Sequence, residues 1–317
     1  RSLIVTGVQT CALPISIEMR FGNECNLQCR HCGPTSSSKW EAMVRRIPNL
    51  MKTLHRPDEM FGIPKSDGYV DDILDNIVPG LEEIRFGGGE PLYQKEHYKF
   101  IDSIPAEHAS HISLFYVTNG TVRHMKGYDL PEIWKRFKSV MICVSCDGIG
   151  ERYDYFRHGS DWKVVEENMR FWHGMGIDLA VQITASAYQM FYLIETLDYI
   201  YELGIAMHMN TGVVQHPPAI NPRIIPTEVK SQLMAEWMDY VTNITDPRKK
   251  EILKPIGDRC YNYMMGEEVS IYRQYDSVVS WDSFIEQATV LDGLFDTDLK
   301  KAFPRIADIF PDRYNKP

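Results

Sequence analysis

The chain of 317 residues carries 34 Lys and Arg against 43 Asp and Glu, a formal net charge of −9, and is 44% hydrophobic. That is chain enough for a sizeable core, and with no long basic tract it disfavours generic duplex nucleic-acid binding, which rests on neutralising phosphates. No window approaches the roughly 18 apolar residues of a membrane span, so no membrane association is expected. Of the seven cysteines, three are clustered and the rest scattered, which points to a reducing, cytoplasmic setting and a metal site rather than a disulfide framework.

The opening RSLIVTGVQTCALPIS has an apolar run, but Thr6, Gly7, Gln9 and Thr10 break it, unlike the core of a signal peptide. Residues 5–15, VTGVQTCALPI, resemble the translation of a sequencing adapter, so residues 1–16, with Cys11, are set aside as an artefact. From there short apolar runs alternate with longer amphipathic ones, the pattern of repeated βα units around a mostly parallel sheet. IEMRFG (17–22) leads into the loop ECNLQCRHC, and one helix-like stretch is expected from about Ser36 to Arg56, bearing Lys39, Arg45, Arg46, Lys52 and Arg56. EEIRFGGG (82–89) ends in glycines and SLFYVTNG (113–120) in the turn pair Asn119-Gly120. SVMICVSCDG (139–148), LAVQITAS (179–186) and AMHMNTGVV (206–214) continue the strands, with helices expected over 162–176 and 192–204.

Six such units predict an α/β fold, a partial (β/α)6 TIM-like barrel over residues 17–214. QHPPAINPRIIP (215–226) then reads as a proline-rich connector into a mainly helical C-terminal extension, residues 215–317. Within it, Thr227 is expected to cap a helix to about Val241, a second helix runs from about Lys249 to Cys260, and two short ones lie within 282–310.

Functional residues of parallel barrels sit at the carboxyl ends of the strands, and every candidate here falls there. Alternation along 139–148 puts Met141, Cys143, Ser145 and Asp147 on one face, with Val140, Ile142, Val144 and Cys146 on the other. The apolar set should meet helices, leaving Ser145 and Asp147 toward the interior. The same parity turns Gln182, Thr184 and Ser186 one way, and His208 with Asn210 one way, as ligand partners or as a self-satisfied polar network. Cys143 and Cys146 read as core, and Cys260 as a bystander.

Cys25, Cys29 and Cys32 on one loop can hold an iron–sulfur cluster as thiolates and leave one iron open, since four-iron clusters ordinarily take four cysteines. A zinc knuckle is the alternative, but it needs a fourth ligand, and His31 is awkwardly adjacent to Cys32. In FGGGEP (86–91) the glycines let backbone approach a ligand closely, and Glu90 adds a negative charge.

The CxxxCxxC spacing followed by FGGGEP resembles the radical S-adenosylmethionine (SAM) superfamily, from about Ile17 to about Val214. The resemblance implies one 4Fe-4S cluster on Cys25, Cys29 and Cys32, with SAM at the open iron. It further implies that Gly88, Gly89 and Glu90 meet the SAM amino group, that Ser145 and Asp147 meet its ribose and carboxylate, and that Arg157 pairs with that carboxylate. Asn119 and Gln182 complete the expected cofactor contacts.

An electron donor such as flavodoxin or ferredoxin is implied, and the basic stretch after the cluster is a candidate contact for it. GNECNLQCRHCGP and the tail are similar to SPASM or twitch proteins, which implies a peptide or protein substrate, with a small molecule as the further option. The chain departs from that pattern in having only Cys260 after residue 146, so no auxiliary cluster is expected. Two other readings stand beside this one: a nucleotide-modifying radical SAM enzyme of the 7-carboxy-7-deazaguanine synthase kind, and a non-catalytic iron–sulfur or zinc scaffold.

Overall fold

The computed structural model describes residues 15–47, 49–54, 69–205, 208–266 and 279–309. The adapter-like residues up to 14, Arg56, and the expected strand residues Ala206 and Met207 lie outside them. Strand β1 (Ser16–Met19) leads into the cysteine loop, which contains the two-residue strand β2 (Gln28–Cys29) and is followed by α1 (Ser38–Arg46) and α2 (Leu50–Thr53). Helix α3 (Tyr69–Asn76) precedes β3 (Glu83–Phe86), and α4 (Lys95–Ser103) and α5 (Ala106–Ala109) precede β4 (Ser113–Thr118). Helix α6 (Leu130–Trp134) precedes β5 (Ser139–Ser145). Then α7 (Gly150–Phe156), the short β6 (Arg157–His158) and α8 (Trp162–Gly174) lead to β7 (Asp178–Ala185), and α9 (Leu193–Leu203) leads to β8 (His208–Val213).

The six longer strands form one sheet in the order β1-β3-β4-β5-β7-β8, all neighbours parallel. With β1 and β8 at its two ends, this is the expected partial barrel. One face carries Ile17, Ile84, Leu114, Val140, Ile142, Leu179 and Val181, all buried in the main core. Helix α8 meets that face with Trp162, Val165, Met169 and Trp172, one stripe at helical spacing. Burial of each such side chain stabilises by about 1.5–3 kcal/mol. The other face is less covered by the described residues: Met141, Ser145, Gln182 and Thr184 are half-buried and Asn210 is exposed, as the alternation predicts.

The stretch expected as one helix from Ser36 to Arg56 is instead two helices. Ile47 leaves the helix at φ −112, ψ 103, because a residue preceding a proline, here Pro48, is sterically excluded from the helical region. Beyond the barrel come α10 (Thr227–Asn243), α11 (Pro247–Met265), α12 (Trp281–Phe295), α13 (Leu299–Ala302) and α14 (Pro304–Ile309). Thr227 is the first helical residue rather than the cap, a position that Pro226 takes. The tail read as two helices forms three, since Asp296 turns left-handed at φ 52 and Pro304 opens a new helix.

Helices α10 and α11 close on each other where Trp237 covers Gly257: a Cβ at Gly257 would lie 2.2 Å from the indole. Cys260 is buried in the main core, as is Cys146, and Cys143 is buried too. Helix α12 divides its apolar face. Phe284 and Ala288 join the main core, while Leu291 and Phe295 form a second cluster with Trp40, Met43, Leu50 and Leu54, behind the cysteine loop. Among the described residues no helix is long and apolar enough to cross a membrane.

Candidate active site

Cys25 and Cys29 are buried and Cys32 is half-buried, grouped with Leu27 at the mouth of the barrel. Their loop is tied down by its own backbone. Leu27 N–H donates to Cys25 Sγ (3.4 Å), Cys32 N–H to the Cys29 carbonyl (3.0 Å), and the Ser37 hydroxyl to the Leu27 carbonyl (2.7 Å). From α1, Trp40 Nε1 donates to the Cys29 carbonyl at 3.0 Å. Burial, with the neighbouring Cys29 and Glu90, pushes the Cys25 thiol up to about 12. A hydrogen bond with Cys32, followed by burial, holds Cys29 well above the ordinary thiol value. Arg157 works against these rises, and a bound metal cation would favour the thiolates further.

Strand β2 pairs antiparallel with β6, placing Cys29 opposite Arg157. Arg157 Nη1 lies 3.8 Å from Cys29 Sγ, and Nη2 donates to Asp147 Oδ2 at 2.6 Å. The second Asp147 oxygen accepts the Thr184 N–H at 2.9 Å. Although burial opposes its charge, Asp147 and the thiols keep Arg157 protonated, and its buried Nε has no hydrogen-bond partner. His31 stacks on Phe156 with ring centroids 5.1 Å apart and brings Nδ1 to 3.8 Å from Asp147.

The glycine motif is bolted to the same loop. Glu90 N–H donates to the Glu24 carbonyl at 2.8 Å, and its buried carboxylate accepts from Leu92 N–H (3.1 Å), the Thr118 hydroxyl (2.7 Å) and Asn119 N–H (2.6 Å). Burial outweighs these donors and pushes the Glu90 carboxyl up to about 7. Its side chain therefore faces the Thr118–Asn119 turn rather than open space. Asn119 Nδ2 in turn donates to Asn26 Oδ1 at 2.9 Å and lies 3.9 Å from Cys25 Sγ. Gly88 and Gly89 have φ of 73 and 57, and the Gln94 amide reaches both the Glu24 carbonyl (3.0 Å) and the Gly88 carbonyl (3.3 Å).

The structure thus gathers Cys25, Cys29, Cys32, Gly88, Gly89, Glu90, Asn119, Asp147 and Arg157 at one end of the sheet. Ser145 and Gln182 face each other in register on the adjoining wall, with Asn210 beyond. Gln94 and Arg30 escaped the sequence reading, because no local spacing marks a side chain whose partners lie 70 and 262 residues away.

Among the described residues, no three His, Cys, Asp or Glu side chains converge as one metal ion would require. Three thiols on one loop are the donor type that a four-iron cluster takes, each for a different iron. The unsatisfied Arg157 Nε beside the thiols fits an anionic ligand at the same place.

The model of the Radical SAM superfamily matches residues 19–204, more than half of the chain. This protein belongs to the radical SAM superfamily. The radical SAM chain is 32% identical over 118 residues to the GTP 3′,8-cyclase of Campylobacter lari, a match spanning 37% of this chain and 30% of that protein. It is 25% identical over 240 residues to the probable GTP 3′,8-cyclase of Methanococcus vannielii, spanning 75% of this chain and 72% of that one. The solved structure of anSMEcpe with bound AdoMet aligns with a TM-score of 0.48 and 14% identity, covering 87% of this chain and 65% of that one. Membership makes the protein an enzyme and implies one 4Fe-4S cluster and SAM as its cofactors.

Proposed function

We propose that this radical SAM enzyme holds its cluster on Cys25, Cys29 and Cys32 and seats SAM across the carboxyl ends of β3, β4, β5 and β7, against the less covered face of the sheet, which receives the substrate. The observation that carries the proposal is the buried Arg157, held 3.8 Å from Cys29 Sγ by Asp147 and by pairing with the cysteine strand. A fixed cation there is suited to a carboxylate, such as that of SAM. Gly88 and Gly89 bring backbone close to the SAM amino group, and Glu90 shapes that turn through its three donors. Asp147 orients Arg157, while Ser145 and Gln182, with Asn119 nearer the cluster, face the nucleoside portion. When bound, the cluster supplies the electron that cleaves SAM to methionine and a 5′-deoxyadenosyl radical, which takes hydrogen from the substrate.

The substrate on this reading is a peptide or protein, as the sequence resemblance of the cysteine loop to SPASM and twitch proteins implies, received by a sheet whose strands β1 and β8 do not pair with each other among the described residues. A nucleotide is the second reading, favoured by the 25% identity to the probable GTP 3′,8-cyclase and by Arg85 lying 4.9 Å over the Phe115 ring, a cation beside a stacking surface. Flavodoxin or ferredoxin is the expected reductant, and exposed Lys39 and Arg46 on α1 suit its acidic surface, with Arg45 partly engaged by Glu41 at 2.7 Å.

Anaerobic reconstitution followed by dithionite and SAM tests the site. 5′-Deoxyadenosine is expected from the parent and not from Cys29→Ala, and Arg157→Gln is expected to weaken SAM binding at least tenfold. A fully loaded parent that forms none supports the scaffold reading instead. GTP that accelerates 5′-deoxyadenosine release and is itself consumed selects the nucleotide reading.

A further inference from the structure

Arg30, between Cys29 and Cys32, is fully buried. Its Nε donates to the Tyr155 carbonyl at 3.0 Å, and Nη2 donates to Asp292 Oδ1 and Thr297 Oγ1, both at 2.6 Å. The guanidinium lies 3.6 Å over the Tyr155 ring and 5.6 Å from that of Phe295. Asp292 is buried on α12, and its second oxygen accepts the Leu299 N–H at 2.8 Å. The same helix stacks Phe295 on His158, beside Arg157, at 4.0 Å and packs it edge-on against Trp40 at 5.9 Å. The C-terminal extension therefore grips the cysteine loop from behind through one ion pair and one aromatic ring.

A buried ion pair is a poor way to gain stability, because well-packed apolar side chains of the same volume do as well or better. What it supplies that they cannot is fixed charge in a medium of low dielectric, where charge acts strongly on its neighbours. Arginine also does not lose its proton in a protein.

We propose that Arg30 and Asp292 are positioning residues for the cluster: α12 contributes no ligand but sets the charge beside the cluster and thereby its reduction potential. This rests on Cys25, Cys29 and Cys32 being the cluster ligands, a point checked first by iron content of the reconstituted parent. A parent that takes up no iron fails that reading before any variant is compared.

The test is the midpoint potential of reconstituted protein, with the electron paramagnetic resonance spectrum of the reduced state and thermal unfolding recorded alongside. Asp292→Asn removes the negative charge that Arg30 meets at 2.6 Å, favours the more negative reduced cluster, and shifts the potential upward. Arg30→Met shifts it downward, and Arg30→Met with Asp292→Leu, which removes both charges, returns it toward the parent. Arg30→Lys keeps the cation and is expected to stay near the parent value, which keeps the comparison open should Arg30→Met not fold. Potentials that stay at the parent value in Asp292→Asn, or that move the same way whichever charge is removed, overturn the proposal and leave the pair as a structural brace.

Discussion

A single methyl at Gly89 tests how the site is assembled. Gly89 holds φ +57, and a Cβ there would lie 2.4 Å from the Glu24 carbonyl oxygen, 2.5 Å from Gln94 Nε2 and 3.0 Å from the Asn23 carbonyl carbon. The Glu24 carbonyl cannot retreat without losing the Glu90 N–H at 2.8 Å and the Gln94 amide at 3.0 Å. Left-handed backbone costs an alanine about 1–2 kcal/mol, and overpacking against backbone adds about 1–3 kcal/mol. Gly89→Ala is therefore expected to lower the unfolding free energy by roughly 2–5 kcal/mol. Gly176 is the control, since it has φ +76 with nothing within 4 Å of an added Cβ, so alanine there meets only the backbone cost. Urea unfolding of cluster-free protein, followed by circular dichroism, measures both variants. Their difference isolates the clash, and equal destabilisation would refute the close packing of Gly89 on the cysteine loop. Iron content after reconstitution should also fall in Gly89→Ala alone, because Glu24 adjoins Cys25.

Burial raises the Glu90 carboxyl from an ordinary 4.5 to about 7, so the folded protein keeps a proton that the unfolded chain releases. The resulting stability is complete below about pH 4.5 and lost as the pH rises through about 7. Glu90→Gln should flatten that decline, worth roughly 3 kcal/mol in cluster-free protein, and an unchanged slope in unfolding experiments across this range would count against it. Asp147→Ala strands the buried Arg157 and is expected to destabilise by about 3–5 kcal/mol, whereas Asp147→Asn, which keeps an acceptor for Thr184, should cost less. Unfolding midpoints that stay at the parent's value in both variants would show that the charge pair matters little.

The strands were readable because their residues obey one local rule. In 139–148, every second residue is apolar and buried, which leaves Ser145 to the less covered face, and the same parity holds for Gln182 and Thr184. The cysteine and glycine motifs were readable as short contiguous words. What one-dimensional reading could not supply is where charges find partners. Asp147 and Arg157 stand ten residues apart in the chain, and sequence offers no way to see that they bind each other at 2.6 Å. Likewise the carboxylate of Glu90 is taken up by Thr118 and Asn119, whose closeness depends on β3 and β4 being neighbours. Pro48 is the local signal for the helix break between α1 and α2, and it is readable from the sequence alone.

The pairing of β2 with β6 also orders events at the ribosome. Cys29 is synthesised 128 residues before Arg157, its partner across that ribbon, and Arg30 is made 262 residues before Asp292. While the nascent chain grows, the cysteine loop has neither its strand partner nor its counter-charge, and its thiols are open to solvent, oxidants and stray metal. A cluster delivered early meets an unformed loop, whereas one delivered after α12 has docked meets a loop whose partners are in place. The full set of partners that shapes the cysteine loop thus exists only once α12 has been made, late in synthesis or after release.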